Sequence, residues 1–112
     1  MANPNNAFPF VDLNGQVVLG NDTLRAILQD SDRTLTRNIR EGRDRVASNA
    51  RYLDRLARLI LSEDLREAEV TLLRQRRTDI LADTADLRDR VRELEEYRRI
   101  VREARDHLDN NP

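Results

Sequence analysis

Hydrophobic positions in the second half of the chain keep a strict seven-residue rhythm. Leu73, Ile80, Leu87, Leu94, Val101 and Leu108 recur every seventh residue without a miss. Seven residues make about two turns of α-helix, so these side chains share one stripe. The rest of the surface is mostly charged, so the stripe must be buried against another helix. The companion row is poorer: of Arg77, Thr84, Val91, Arg98 and Arg105, only Val91 is apolar. One strong row beside one weak row argues against a tight two-stranded zipper. It favours a bundle in which Arg stems cover the flank.

The first half carries a different period. Leu24 and Leu28 are followed eleven residues later by Leu35 and Ile39, and then in turn by Val46 and Ala50, Ala57 and Leu61, and Ala68 and Leu72. An eleven-residue repeat has about 3.67 residues per turn and predicts a nearly straight or slightly right-handed stripe. Ser31, Asn38, Gly42 and Asn49 interrupt it. Gly42 costs up to about 1 kcal/mol in a helix interior. It marks a kink or a close helix crossing, or else it is a tolerated surface glycine. Asn21 or Asp22 is placed to cap the first helix.

Between Leu59 and Glu69 the reading forks. Ser62-Glu63-Asp64 has the look of a helix start, a capping hydroxyl followed by acids. A turn there gives a helical hairpin over 23–61 and 63–109. Against a turn, no Gly or Pro occurs from Arg43 to Asn111, and Leu61, Leu65, Ala68 and Leu72 carry the stripe across. A continuous helix over 23–109 would reach ~130 Å at about 1.5 Å per residue. The balance tips to the hairpin, with Asp83-Thr84 a weaker second break. The fold class expected is all-α: long amphipathic helices, as a hairpin or an extended coiled-coil rod, behind an extended arm.

That arm is residues 1–21, with the helical region at 22–109 and a frayed tail at 110–112. The arm holds both Phe, two of the three Gly and two of the three Pro. Asn14-Gly15 between Phe10-Val11 and Val17-Val18 predicts a short β-hairpin, because a type I′ turn needs positive φ at both central residues. A lone hairpin is barely stable in water, so the arm needs a surface. Phe8, Phe10, Val11, Val17 and Leu19 are its candidate docking residues. The surface is either its own helices or a neighbouring subunit or other protein.

Composition sharpens this picture. Charged residues make up 37% of the 112-residue chain, against about 25% in ordinary globular chains. Only two Tyr accompany the two Phe, so a monomeric core would be almost wholly aliphatic and marginal, and oligomerisation is the simplest remedy. Arg supplies every basic residue, a usage that reads as a GC-rich genome. A net charge of −1 gives no global field toward nucleic acid or anionic membrane. Without cysteine there is no disulfide and no thiolate metal site. No run approaches the ~20 apolar residues of a membrane span, and the first residues form no secretion signal.

Candidate chemistry is sparse. His107, the lone histidine, has Glu103 one turn back, but nothing completes a metal shell. The Glu-x-x-His pattern of di-metal bundles is missing. Ser31, Ser48 and Ser62 lack nucleophile-elbow glycines and a triad histidine. Gly15, Gly20 and Gly42 fit no phosphate loop. No cofactor, metal or enzymatic activity is expected. Arg74, Arg76 and Arg77, Arg98 and Arg99, and Arg37, Arg40, Arg43 and Arg45 form basic patches, yet acids flank each and no aromatics interleave.

The layout resembles small assembly proteins of virus or phage particles and bacterial coiled-coil adaptors. The function expected is a non-enzymatic structural or assembly protein, cytoplasmic or part of such a particle. It self-associates into a homo-oligomer through Leu24, Leu28, Leu35, Ile39, Val46, Leu53, Ile60, Leu72, Leu73, Ile80, Leu87, Val91, Leu94, Val101 and Leu108. Its arm grips a protein partner. The rival is a small helical nucleic-acid-binding or regulatory protein using the Arg-rich faces.

Overall fold

The computed structural model describes residues 10–11, 17–18 and 20–110. A short antiparallel ladder pairs β1 (Phe10–Val11) with β2 (Val17–Val18), Phe10 opposite Val18 and Val11 opposite Val17. A two-residue Asn14-Gly15 turn would instead set Val11 opposite Val18, so the pairing is one residue off the register predicted for a type I′ hairpin. Asn14, Gly15, Phe8 and Leu19 lie outside the described residues. Two long helices follow, α1 (Asn21–Ile60) and α2 (Glu67–Asn110). The chain divides into two compact units, one of residues 37–95 and one combining 1–36 with 96–112.

The 37–95 unit is an antiparallel helical hairpin. Gly42 on α1 meets Val91 on α2. Seven residues further along α1, Asn49 Nδ2 donates to Thr84 Oγ1 at 3.1 Å, seven residues back along α2, and to Asp83 Oδ2 at 2.9 Å. At the edge, Arg43 bonds Glu95 at 3.0 Å. Ile39, Leu56, Ile80, Val91 and Leu94 are the buried apolar residues, joined by buried Thr84. At about 1.5–3 kcal/mol for each fully buried side chain, this is a thin core against the entropy of ordering the helices.

The seam on α1 is a heptad, which corrects the eleven-residue reading. Ile39, Gly42, Val46, Asn49, Leu53, Leu56 and Ile60, spaced alternately by three and four, are buried or half-buried, and Ala57 beside Leu56 is half-buried as well. Ala50 is exposed, and Leu61 and Leu72 are 82% and 71% exposed. Two helices sharing a seam must share its period, and a 3.67-residue stripe drifts away from a 3.5-residue partner.

The turn forms without Gly or Pro. Ser62 N donates to Leu59 O at 3.0 Å, tightening the end of α1. Ser62 Oγ accepts from Asp64 N at 3.3 Å, so it closes the turn rather than capping α2. The second helix therefore starts at Glu67 and not at 63. Arg66 stands at its cap: Val70 N donates to Arg66 O, and Arg66 N donates to Glu69 Oε1 at 3.1 Å. This is the half of a capping box that the N3 carboxylate supplies. No second break occurs at Asp83-Thr84: α2 runs through both, and Thr84 Oγ1 donates to Ile80 O at 2.7 Å within the helix.

In the other unit, 21–36 of α1 lie against 96–110 of α2 with polar clamps. Asp32, its side chain 13% exposed, accepts from Arg102 Nε at 3.2 Å, Arg105 Nη1 at 3.0 Å and Thr36 Oγ1 at 3.3 Å. Arg25 Nη2 donates to Leu108 O at 2.9 Å, satisfying a carbonyl in the last turn of α2 and opposing the negative end of its dipole. Arg25 Nε lies 3.3 Å from Asp109 Oδ1, an ion pair without hydrogen-bond geometry. The cap of α1 is Gly20, whose carbonyl accepts from Leu24 N, one residue ahead of the expected Asn21 or Asp22.

Gly42 is a close crossing, not a tolerated surface residue. A Cβ there would sit 2.6 Å from Val91 Cγ2, and a β-branched side chain in a helix has little rotamer freedom to yield. Gly42→Ala therefore lowers the thermal midpoint, because overpacking of about 1–3 kcal/mol outweighs the gain of about 1 kcal/mol in helix propensity. Adding Val91→Ala recovers part of that loss. Melts followed by circular dichroism check this, and a midpoint raised by Gly42→Ala would contradict the close crossing.

Candidate functional site

Within 37–95, the residues expected for self-association fall mostly on the intrachain seam. Ile39, Ile80, Val91 and Leu94 are buried, while Val46, Leu53, Ile60, Leu73 and Leu87 are half-buried. Leu72 is the exception, pointing outward at 71% exposure. In the other unit, Leu24, Leu28, Leu35, Val101 and Leu108 are half-buried.

Once the seam is formed, large apolar side chains remain outside it. Leu59, Leu61 and Leu72 bracket the turn, and Leu81 lies further along α2. Ile27, Tyr97 and Ile100 are exposed in the other unit. Scattered exposed apolar residues are normal, but Leu59, Leu61 and Leu72 are three exposed leucines within fourteen positions at the turn end of the hairpin (59–72).

Beside the same seam runs a groove of about 560 Å³, lined by Arg45, Ser48, Asn49, Tyr52, Arg55, Arg76, Asp79, Ile80 and Asp83. Two guanidinium groups lie over the Tyr52 ring, Arg55 at 5.4 Å and Arg76 at 5.9 Å from its centroid. Cation–π attraction holds both planes there. Tyr52 and Arg55 meet by helical spacing, which the sequence carries. Arg76 joins them only through the register of the hairpin.

The basic patches fare unevenly. Arg43 and Arg99 are engaged by carboxylates, Arg99 by Glu96 and Glu103. Those contacts push the Arg99 guanidinium pKa up and the Glu96 carboxyl down. Among the described residues, Arg74, Arg76 and Arg77 have no carboxylate within salt-bridge distance. Glu103, the neighbour of His107, is taken up by Arg99. No group of three or more His, Cys, Asp or Glu among the described residues is placed to hold a metal ion. No described helix is long and apolar enough to cross a membrane.

No family model matches the chain, and no curated protein or solved structure does either.

Glu69 ties the electrostatics to the turn. Its hydrogen bonds from the Arg66 side chain and backbone hold its carboxyl below the ordinary carboxylate range. A carboxyl with a depressed folded pKa stabilises the fold above its unfolded pKa, and that contribution is lost as pH falls through the folded value. Glu69→Gln keeps the acceptor but removes the charge. It lowers the melting midpoint at neutral pH, and the gap to the parent chain closes in acid. A gap that persists at pH ~2, below both pKa values, would show that charge is not the cause.

Proposed function

We propose that this chain is a non-enzymatic structural or assembly protein that associates with copies of itself through helical packing and docks a protein partner with its amino-terminal arm. The observation that carries the reading is the imbalance left after the hairpin closes. Among the described residues, five apolar side chains are buried and eight large ones are exposed. A core this small is helped by neighbours, and the leucines around the turn offer them a contact. Copies then meet through Leu59, Leu61 and Leu72, with the seam residues filling each chain's own interior.

The arm supplies the second contact. Its aromatic and β-branched residues suit strand addition or burial of Phe8 and Phe10 in a partner. Such a module fits a virus or phage particle, where a small helical piece links repeated subunits. The rival reading, a nucleic-acid-binding helical protein, rests on Arg74, Arg76 and Arg77 lacking acidic partners. It predicts salt-dependent retention on DNA or RNA that removal of those arginines abolishes.

Sedimentation equilibrium tests the assembly reading at tens of micromolar. The parent chain forms a defined oligomer. Leu61→Glu with Leu72→Glu shifts it toward monomer by at least about tenfold in dissociation constant, since a charge at a buried contact costs more than about 1.4 kcal/mol. Helicity is retained because both side chains are exposed within one chain. Deleting residues 1–19 keeps helicity and removes partner capture. A parent chain that stays monomeric and fully folded contradicts self-association.

A further inference from the structure

Among the described residues ten arginines lie within salt-bridge distance of a carboxylate, but Arg55 and Arg76 meet a ring. Neither has a carboxylate within 4.0 Å among the described residues, and both are held on Tyr52. A guanidinium drawn over an aromatic face rather than onto a carboxylate has its N–H groups free for an anion, and its planar edge matches two oxygens of an oxyanion. The two come from different helices, Arg55 from α1 and Arg76 from α2, and both line the groove. Ser48 adds a hydroxyl on the same wall.

We propose that the groove beside Tyr52 binds a phosphate monoester, its phosphate held between Arg55 and Arg76. The space, about 560 Å³, exceeds what a bare phosphate fills. In the remainder Asp79 and Asp83 supply acceptors, beside Arg45, Asn49 and Ile80. Asp79 takes one hydrogen bond from Gln75 at 3.0 Å, and Asp83 takes one from Asn49 at 2.9 Å. Each carboxylate keeps acceptor capacity for a further donor. These acids favour hydroxyl groups, which donate to them, over a further anionic group on the organic part. The organic part of the ester is therefore hydroxyl-bearing, as in a sugar phosphate or the ribose end of a nucleotide.

Amide chemical-shift titration of the full chain at constant ionic strength tests this, with ribose 5-phosphate, adenosine monophosphate and inorganic phosphate as probes. Both esters should give saturable shifts confined to the groove and bind more tightly than inorganic phosphate; a tighter nucleotide places the base in the groove as well, and equal affinity for the two esters restricts the contact to the sugar phosphate. Arg76→Gln weakens ester binding by about tenfold, the loss expected when a charge-assisted bidentate contact is removed. Arg58→Gln, at an arginine already paired with Asp54, leaves it unchanged and serves as the control. Shifts that spread over all arginine-rich faces without saturating, or an affinity untouched by Arg76→Gln, would overturn the site. Inorganic phosphate binding as tightly as the esters would overturn the assignment of an ester.

Discussion

The close approach of α1 and α2 across the 37–95 hairpin is the constraint from which the other features follow. Gly42 admits Val91, and one heptad on, the amide of Asn49 reaches the hydroxyl of Thr84. An aliphatic seam alone tolerates sliding by a heptad, since leucine and isoleucine differ little in shape. A glycine that accepts only one neighbour and a polar pair that must be satisfied do not tolerate it. A buried hydroxyl or amide without its partner costs about 1–3 kcal/mol, so other registers lose on both counts. The polar layer thus trades core hydrophobicity for a unique alignment, as single buried polar residues do in coiled coils.

That alignment decides what else the molecule presents. It draws Arg76 across to Tyr52 and leaves Leu61 and Leu72 outside. It also sets Arg43 beside Glu95. Arginine suits this surface because its stem covers apolar flank while its head stays wet. Arg77, Arg98 and Arg105, the weak companion row of α2, are half-buried, and Arg105 turns its head onto Asp32. Surface ion pairs of the Arg–Glu type add little each; the better-shielded cluster at Asp32, with two arginines and a threonine, is the exception in the other unit.

Much of α2 was legible. Its heptad predicts the inward face from Leu73 to Leu108, and Ile80 and Leu94 are buried as the pattern requires. The period of α1 was not, for an identifiable reason. In the 37–95 unit Gly42, Asn49 and Leu56 form one row of its seam, and hydrophobicity skips the first two. Without them the eye joins Leu35 and Ile39 to Val46 and Ala50, and then to Ala57 and Leu61, instead. Asn49 and Thr84 each read as a blemish on its own stripe; they match only when the helices face each other. The turn was half legible, since Ser62 signals a change of direction, but the helix start depends on Glu69 reaching back to Arg66. The pairing of Arg55 and Arg76 on Tyr52 depends on register and has no signal in one dimension.

The most direct measurement of this account is a distance across the hairpin. Arg51 and Ala82 are exposed, and the chain contains no native cysteine to confuse labelling. Spin labels at both positions, in chains diluted with unlabelled protein so that only intrachain pairs report, should give one distribution centred below about 30 Å, as antiparallel neighbours at packed helix spacing require. A distribution centred near 45 Å, the separation at about 1.5 Å per residue along an unbroken helix, would contradict the hairpin and the register built on it.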